Sequence, residues 1–417
     1  MVNLINYSNG LRLVVQNNPF VRSVAASIWV KTGSAMESIS NNGISHFVEH
    51  VLFKGTDKMS AFEIANAFEG RGASVNAFTS KETTCFYYKS IDEDAEACFE
   101  ILSDLFFNST FDENELNSER NVILEEINME DDSPEDICYD LLAKCMYGNH
   151  PFGMTVLGAR DNVKRFGKAD VKKYIAAQYT APSIVIAIVG NIDVEKADKM
   201  VRRYFLPYVR SDEPKSIATE PTLNIKTDNI IKDFKQTNLM LGYPSISLKD
   251  EKFAAQAILN LTLGGCMGSR LFQNIREKKG LAYSVYSSPT RASVCGTFNI
   301  VLNINAKNTE KALKGVYEEI DSLLNDGITE SELQTAKAQL KSGLIFGQEN
   351  LQTVMLALGK ALLLSDEVYD IDKKVVEIDQ VSIQNVNEMA KSIFVQSPAI
   401  AYVGVDSGVD LDKYSRR

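Results

Sequence analysis

APSIVIAIVGNID, residues 181–193, and SPAIAYVGVDS, residues 397–407, each carry a short apolar run that ends at a glycine, Gly190 in one and Gly404 in the other. A run this short, entered after proline and closed by glycine, reads as a buried strand. The two glycines lie 214 positions apart, and two further pairs keep nearly the same spacing. GASVNAFTS from Gly72 lines up with GLAYSVYSS from Gly280 at an offset of 208, and FDENELNSER from Phe111 with ITESELQTAK from Ile328 at 217. Matches that keep order and spacing over nearly the whole chain are the mark of an internal duplication.

The first copy can be read element by element. Residues 5–16 form a hairpin turned at Asn9-Gly10, and 21–32 a long β-branched strand. Ser60 and Glu63 form a capping box that opens a helix closed near Gly70 and Gly72. Residues 73–80 and 83–91 read as strands. Helices follow near 92–107, 112–131 and 134–147, the last entered through Ser133-Pro134, and then near 168–180 and 193–205. Residues 206–228 are polar, contain three prolines and lack helical period. The expected fold is α+β: two homologous α/β domains, each a mostly antiparallel sheet with helices packed on it. The boundaries expected are 1–210 for the first domain, 211–228 for a linker and 229–417 for the second.

Composition narrows the function. Of 417 residues, 45% are hydrophobic and 24% charged, as in ordinary globular chains. A net charge of -11 argues against nucleic acid and against an anionic membrane surface. The six cysteines form no C-x-x-C pair, which predicts free thiols in a reducing compartment. No basic region followed by an apolar stretch opens the chain, and the apolar run of 184–189 is far too short to span a bilayer. The expectation is a cytoplasmic protein without membrane or nucleic-acid partners.

The chain has only 3 histidines, all in the first copy. Two of them stand in GISHFVEHVLFK, residues 43–54. His46 and His50 are four apart, so on a helix both imidazoles leave one face, with Glu49 at its edge. Two imidazoles so spaced suit a tetrahedral metal, and a neighbouring carboxylate can activate water beside it; this is H-x-x-E-H. A hydrolytic site needs a third protein ligand, and ERNVILEEINME, residues 119–130, holds the candidates. Glu119 and Glu126 are two turns apart on one face, and Glu125 is one residue's step away from it. In the second copy Ala336 and Gly343 stand where the first has Glu119 and Glu126. One half carries a metal site and the other does not.

H-x-x-E-H followed by a glutamate pair seven apart, with 76 positions from His50 to Glu126, resembles the pitrilysin/insulinase (inverzincin) zinc metallopeptidases, in their mitochondrial-processing-peptidase-like, bacterial-type branch. The resemblance implies a processing-peptidase-like fold and one zinc per chain, held by His46, His50 and Glu126. It also implies that Glu49 is the general base and that Glu119 supports the site from behind. In IREKKGLAYSVYS, residues 275–287, Arg276 and Tyr283 read by themselves as the end of a helix and an aromatic in a strand. By resemblance they are the pair that holds substrate backbone and stabilises the tetrahedral intermediate. Asn76 and Ala77 resemble the edge strand to which substrate adds in extended form. GGCMGSR, residues 264–270, lacks the lysine of a phosphate-binding loop, and its shortness resembles the catalytic members. His150 in GNHPFG reads as a turn residue.

The function so implied is a zinc-dependent endopeptidase that cleaves extended or unfolded peptides in an enclosed chamber. The alternative is a non-catalytic assembly or peptide-binding subunit of the same fold. Retention of His46, Glu49, His50 and Glu126 favours the peptidase. The chain carries both the metal ligands and the Arg-Tyr pair, so the expected assembly is a homodimer, with peptide substrates as the further partner.

Overall fold

The computed structural model describes residues 2–415. The first copy runs β1 (Val2–Asn6), β2 (Arg12–Asn17), β3 (Ser23–Val30), α1 (Ile44–Leu52), α2 (Ala61–Glu69), β4 (Ser74–Thr79), β5 (Thr84–Ile91), α3 (Ala95–Asn108), α4 (Glu113–Asp131), α5 (Pro134–Tyr147), α6 (Arg160–Arg165), α7 (Lys168–Gln178), β6 (Ile184–Gly190) and α8 (Val194–Tyr204). The second runs β7 (Thr227–Ile231), β8 (Thr237–Ser245), α9 (Phe253–Leu263), a π-helical segment (Phe272–Lys278), β9 (Ala282–Arg291), β10 (Gly296–Ile304), α10 (Thr309–Asp326), α11 (Glu330–Gly347), α12 (Leu351–Ser365), α13 (Ile371–Gln380), α14 (Ile383–Phe394), β11 (Ala399–Gly404) and α15 (Asp412–Ser415). Ser60 and Glu63 make the expected capping box on α2, and Ser133 caps α5 ahead of Pro134.

Two sheets result, and the duplication is visible in them. One is six-stranded in the order β1-β2-β6-β3-β5-β4; the other is five-stranded in the order β7-β11-β8-β10-β9. Without β1, the first order maps onto the second strand for strand. Each sheet has one parallel pair, β2 with β6 and β7 with β11, and is otherwise antiparallel. The α+β class with mostly antiparallel sheets is thus what forms.

Contacts divide the chain into two compact units, but not at 210/229. The first unit contains the chain up to Ile127, Thr155–Thr219 and Phe346–Tyr369; the second contains Asn128–Met154, Glu220–Ile345 and the chain from Asp370 on. The stretch 211–226 does lack helix and strand, as a linker should. The continuous domains expected from the repeat are corrected by two helices. α5, from the first copy, packs on the second sheet, and α12, from the second copy, packs on the first. Order along the chain reports where a helix is, whereas its apolar stripe does not report which sheet it covers.

In the first unit the exchange gives the sheet two buried faces. Leu13, Val15, Ile28, Phe86 and Ile186 pack under α1, α3, α7 and α8, while Val14, Trp29, Cys85, Val185 and Val189 pack under Leu351, Val354, Leu358 and Leu362 of α12. β6 is therefore buried at every position. Arg12 ties down the far end of α12, donating to the Leu362 carbonyl at 3.0 Å and to Asp366 at 2.7 Å. In the second unit α9, α10 and α14 cover one face of the sheet, and on the other the Cys138 thiol of α5 lies 3.5 Å from the Ala401 carbonyl. All six thiols are free, four of them buried. Among the described residues no helix is long and apolar enough to cross a membrane.

Gly359 marks the closest approach of α12 to its sheet: a Cβ there would lie 2.2 Å from the Trp29 indole nitrogen. Gly359→Ala should therefore force α12 away from β3 and destabilise the first unit by about 1–3 kcal/mol, read from chemical denaturation. An unchanged midpoint would show that α12 is not closely packed there.

Candidate metal centre

α1 is nine residues long and divided lengthwise. Ile44, Phe47, Val48, Val51 and Leu52 are buried and fix it to the core. His46, Glu49 and His50 are left on the opposite strip. A helix this short is not stable in isolation, so its position is set by that burial and by its cap. α4 brings the acidic side chains: Leu116, Ile123 and Ile127 bury one side, and Glu119 is buried with them. Glu126, two turns on, remains more than a third exposed. Glu125 points to solvent and takes no part.

The two helices bring three donors together. His46 Nε2 lies 3.2 Å from His50 Nε2, and Glu126 Oε2 lies 3.7 Å from the first and 3.5 Å from the second. A tetrahedral ion with ligands at about 2.1 Å has ligand–ligand edges of about 3.4 Å. The three separations bracket that value. Among the described residues this is the one group of histidine, cysteine or carboxylate side chains arranged to hold a metal. Burial and the charge of His50 lower the His46 pKa to about 3, so at neutral pH that ring carries the free nitrogen a ligand needs.

A layer of further contacts orients these groups. Lys54 Nζ donates to Glu119 Oε1 at 2.7 Å, and Glu119 Oε2 pairs with His50 Nδ1 at 3.1 Å. Burial alone would raise Glu119, but His50 and Lys54 outweigh it and hold the carboxyl below its usual range. Burial would likewise lower His50, yet the Glu119 hydrogen bond and the charges of Glu126 and Glu49 raise it. Glu49 is itself pushed up by burial, against a hydrogen bond from Thr79 Oγ1 to its Oε2 at 2.5 Å. Lys54 and Thr79 were not anticipated. Lys54 had a sequence signal, lying four residues after His50, but Thr79 had none, since its role depends on β4 reaching α1.

The remaining candidates fall elsewhere. β4, with Asn76 and Ala77, is the last strand of its sheet, and the Ala77 N–H is taken by the Asn76 side chain at 2.8 Å. Phe78 packs edge-on against Trp29 at 5.5 Å. Arg276 and Tyr283 belong to the second unit. Arg276, on the π-helical segment, lies over the Phe272 ring at 4.7 Å, and Tyr283 on β9 is 73% exposed. His150 stacks on Phe152 and accepts from its N–H at 3.3 Å, a loop role as expected.

Comparison with known proteins bears on this site. Residues 12–160 match the family described as insulinase (peptidase family M16), and residues 165–340 match the peptidase M16 inactive domain. An uncharacterized zinc protease of Bacillus subtilis, YmxG, is 40% identical over 406 residues, covering 97% of this chain and 98% of that protein. An uncharacterized zinc protease of Streptomyces coelicolor, SCO5738, is 34% identical over 402 residues, covering 95% and 88%. In fold, the chain resembles the crystal structure of a protease from Helicobacter pylori, with a TM-score of 0.89 at 22% identity, covering 97% of this chain and 99% of that one. It also resembles a peptidase M16 inactive domain structure from Pseudomonas fluorescens, with a TM-score of 0.91 at 22% identity, covering 97% and 98%.

The geometry separates three glutamates of α4 by experiment. Glu126→Ala should abolish stoichiometric zinc binding, Glu119→Ala should weaken it about 10–100-fold, and Glu125→Ala should leave it unchanged, all measured by chelator competition. Tight zinc binding by Glu126→Ala would exclude that carboxylate as a ligand.

Proposed function

Since the chain belongs to the insulinase family of peptidases, peptidase family M16, we propose that it is a zinc endopeptidase with one metal per chain, held by His46, His50 and Glu126, and with Glu49 as general base. One observation carries the reading: three donors at tetrahedral-edge separations stand beside a carboxylate that is not among them. Zinc held by these residues would supply Lewis acidity, lowering the pKa of water towards 7 and polarising a peptide carbonyl.

The protein's own groups do the rest. Thr79 holds one oxygen of Glu49 and leaves the other to accept a proton from the attacking water and deliver it to the leaving nitrogen. Glu119, braced by Lys54, keeps the His50 ring in the orientation that turns Nε2 towards His46 and Glu126. An extended peptide adds to the free edge of β4, where Asn76 must release the Ala77 N–H. Arg276 and Tyr283, a guanidinium and an exposed phenol, supply the donors for the oxyanion. We place them over the zinc of a second copy of the chain, in a homodimer that encloses extended or unfolded peptides. The free thiols support the cytoplasm as its compartment.

Glu49→Gln should retain zinc and lower kcat/KM by about 10²–10⁴-fold on a quenched peptide library, because an amide cannot accept the proton. Near-native turnover would remove Glu49 as the base. Mixing Glu49→Gln with Tyr283→Phe, each nearly inactive, should restore activity after subunit exchange, since mixed dimers pair one intact zinc half with one intact Tyr283. A fully active wild-type monomer would exclude the dimeric arrangement.

A further inference from the structure

The two histidines of α1 are anchored unequally. His50 Nδ1 is held by Glu119 at 3.1 Å, whereas His46 Nδ1 is buried with no hydrogen-bond partner among the described residues. Metal-binding imidazoles are ordinarily oriented through their second nitrogen, and for His46 that route is closed. Its position is left to the backbone of the first turn of α1, in which it is the third residue.

That turn has an unusual cap. Its N-cap is Gly43, at φ 100°, with no side chain to satisfy the exposed N–H groups. No capping residue could replace it, because a Cβ there would lie 2.7 Å from the Gly158 Cα as well as being strained by the positive φ. The cap is delivered from outside the helix by Glu37, a side chain only 4% exposed. Its Oε2 accepts from the Gly43 N–H at 2.7 Å and from Asn42 Nδ2 at 3.0 Å; its Oε1 accepts from the Ser45 N–H at 2.8 Å and from Ser45 Oγ at 2.6 Å. Since Ser45 Oγ donates to Glu37, it accepts from Tyr174 OH at 2.7 Å, which in turn accepts from Thr32 Oγ1 at 2.7 Å. The start of α1 is thereby tied to α7 and to the segment that follows β3.

We propose that Glu37 is a positioning residue for the metal centre, setting His46 through the α1 backbone because the His46 ring has no anchor of its own. All four donors to Glu37 lie within four residues before His46, so loosening this cap displaces that ligand first. His50, a turn further on and held by Glu119, is less affected. The second copy has no histidine and so no counterpart of the His46–His50 pair, and nothing there requires such a cap.

The test is zinc affinity by chelator competition, measured beside thermal unfolding of the metal-free proteins. Glu37→Gln keeps the shape of the side chain but cannot accept all four hydrogen bonds, and it should weaken zinc binding about ten-fold or more. Ser60→Ala is the control: it removes the cap of the neighbouring α2, which carries no ligand, and should lower stability while leaving zinc affinity unchanged. Equal zinc affinity in Glu37→Gln and wild type overturns the proposal, and so does an equal loss in Ser60→Ala, which would make the effect one of general stability. Should Glu37→Gln not fold, Ser45→Ala decides, since it removes one donor and keeps the carboxylate; a measurable loss of affinity supports the proposal and none overturns it. The inference rests on His46, His50 and Glu126 being metal ligands. A wild-type protein that binds no zinc defeats that reading, whereas tight wild-type binding with unchanged Glu37→Gln affinity defeats this one alone.

Discussion

Two imidazole nitrogens held 3.2 Å apart in a largely buried setting are the constraint around which this molecule is arranged. Both rings cannot be protonated at that distance, and neither can turn away, because α1 is pinned by its apolar face. What surrounds the pair follows from that. A carboxylate must complete the group, a second must fix His50, and a cation must balance the second. Glu126, Glu119 and Lys54 occupy those places.

Three carboxylates thus crowd a small volume, and their surroundings divide them by role. Glu119 is buried but flanked by Lys54 and His50, which keep it ionised. Glu49 is hydrogen-bonded to the Thr79 hydroxyl, and burial raises its proton affinity, the direction that suits the proton-transfer role proposed for it. Glu126 stays partly open to solvent, which suits the ligand role proposed for it. In the mechanism proposed above, the same side chain in three settings serves as a brace, a base and a ligand.

The duplication places this chemistry in only one of two matching frameworks. α11 repeats α4, yet Ala336 and Gly343 replace the two glutamates and no histidine faces them. The frameworks share their strand order because the same alternation of apolar residues builds both sheets. The exchange of α5 and α12 then covers the second face of each. It accounts for β6 and β11, interior strands that are buried along their whole length and would expose apolar side chains to water in a sheet with one open face.

Much of this was legible in one dimension. Strand and helix positions follow from local periodicity, the capping box of α2 from residues three apart, and the duplication from spacing. His46 and His50 share a face because four residues make one helical turn, whatever the fold. Glu119 and Glu126 share one for the same reason, and the family resemblance chose between them. The sequence by itself therefore determined the elements, the repeat and the donor types of the candidate metal centre, all of which depend on short-range geometry. Only the tertiary structure decided that α12 covers the first sheet, that Thr79 meets Glu49, that Lys54 braces Glu119 and that Glu37 caps α1. Each of these requires a turn of loop or a pairing of strands to bring groups together, and no periodicity along the chain encodes which surfaces will meet.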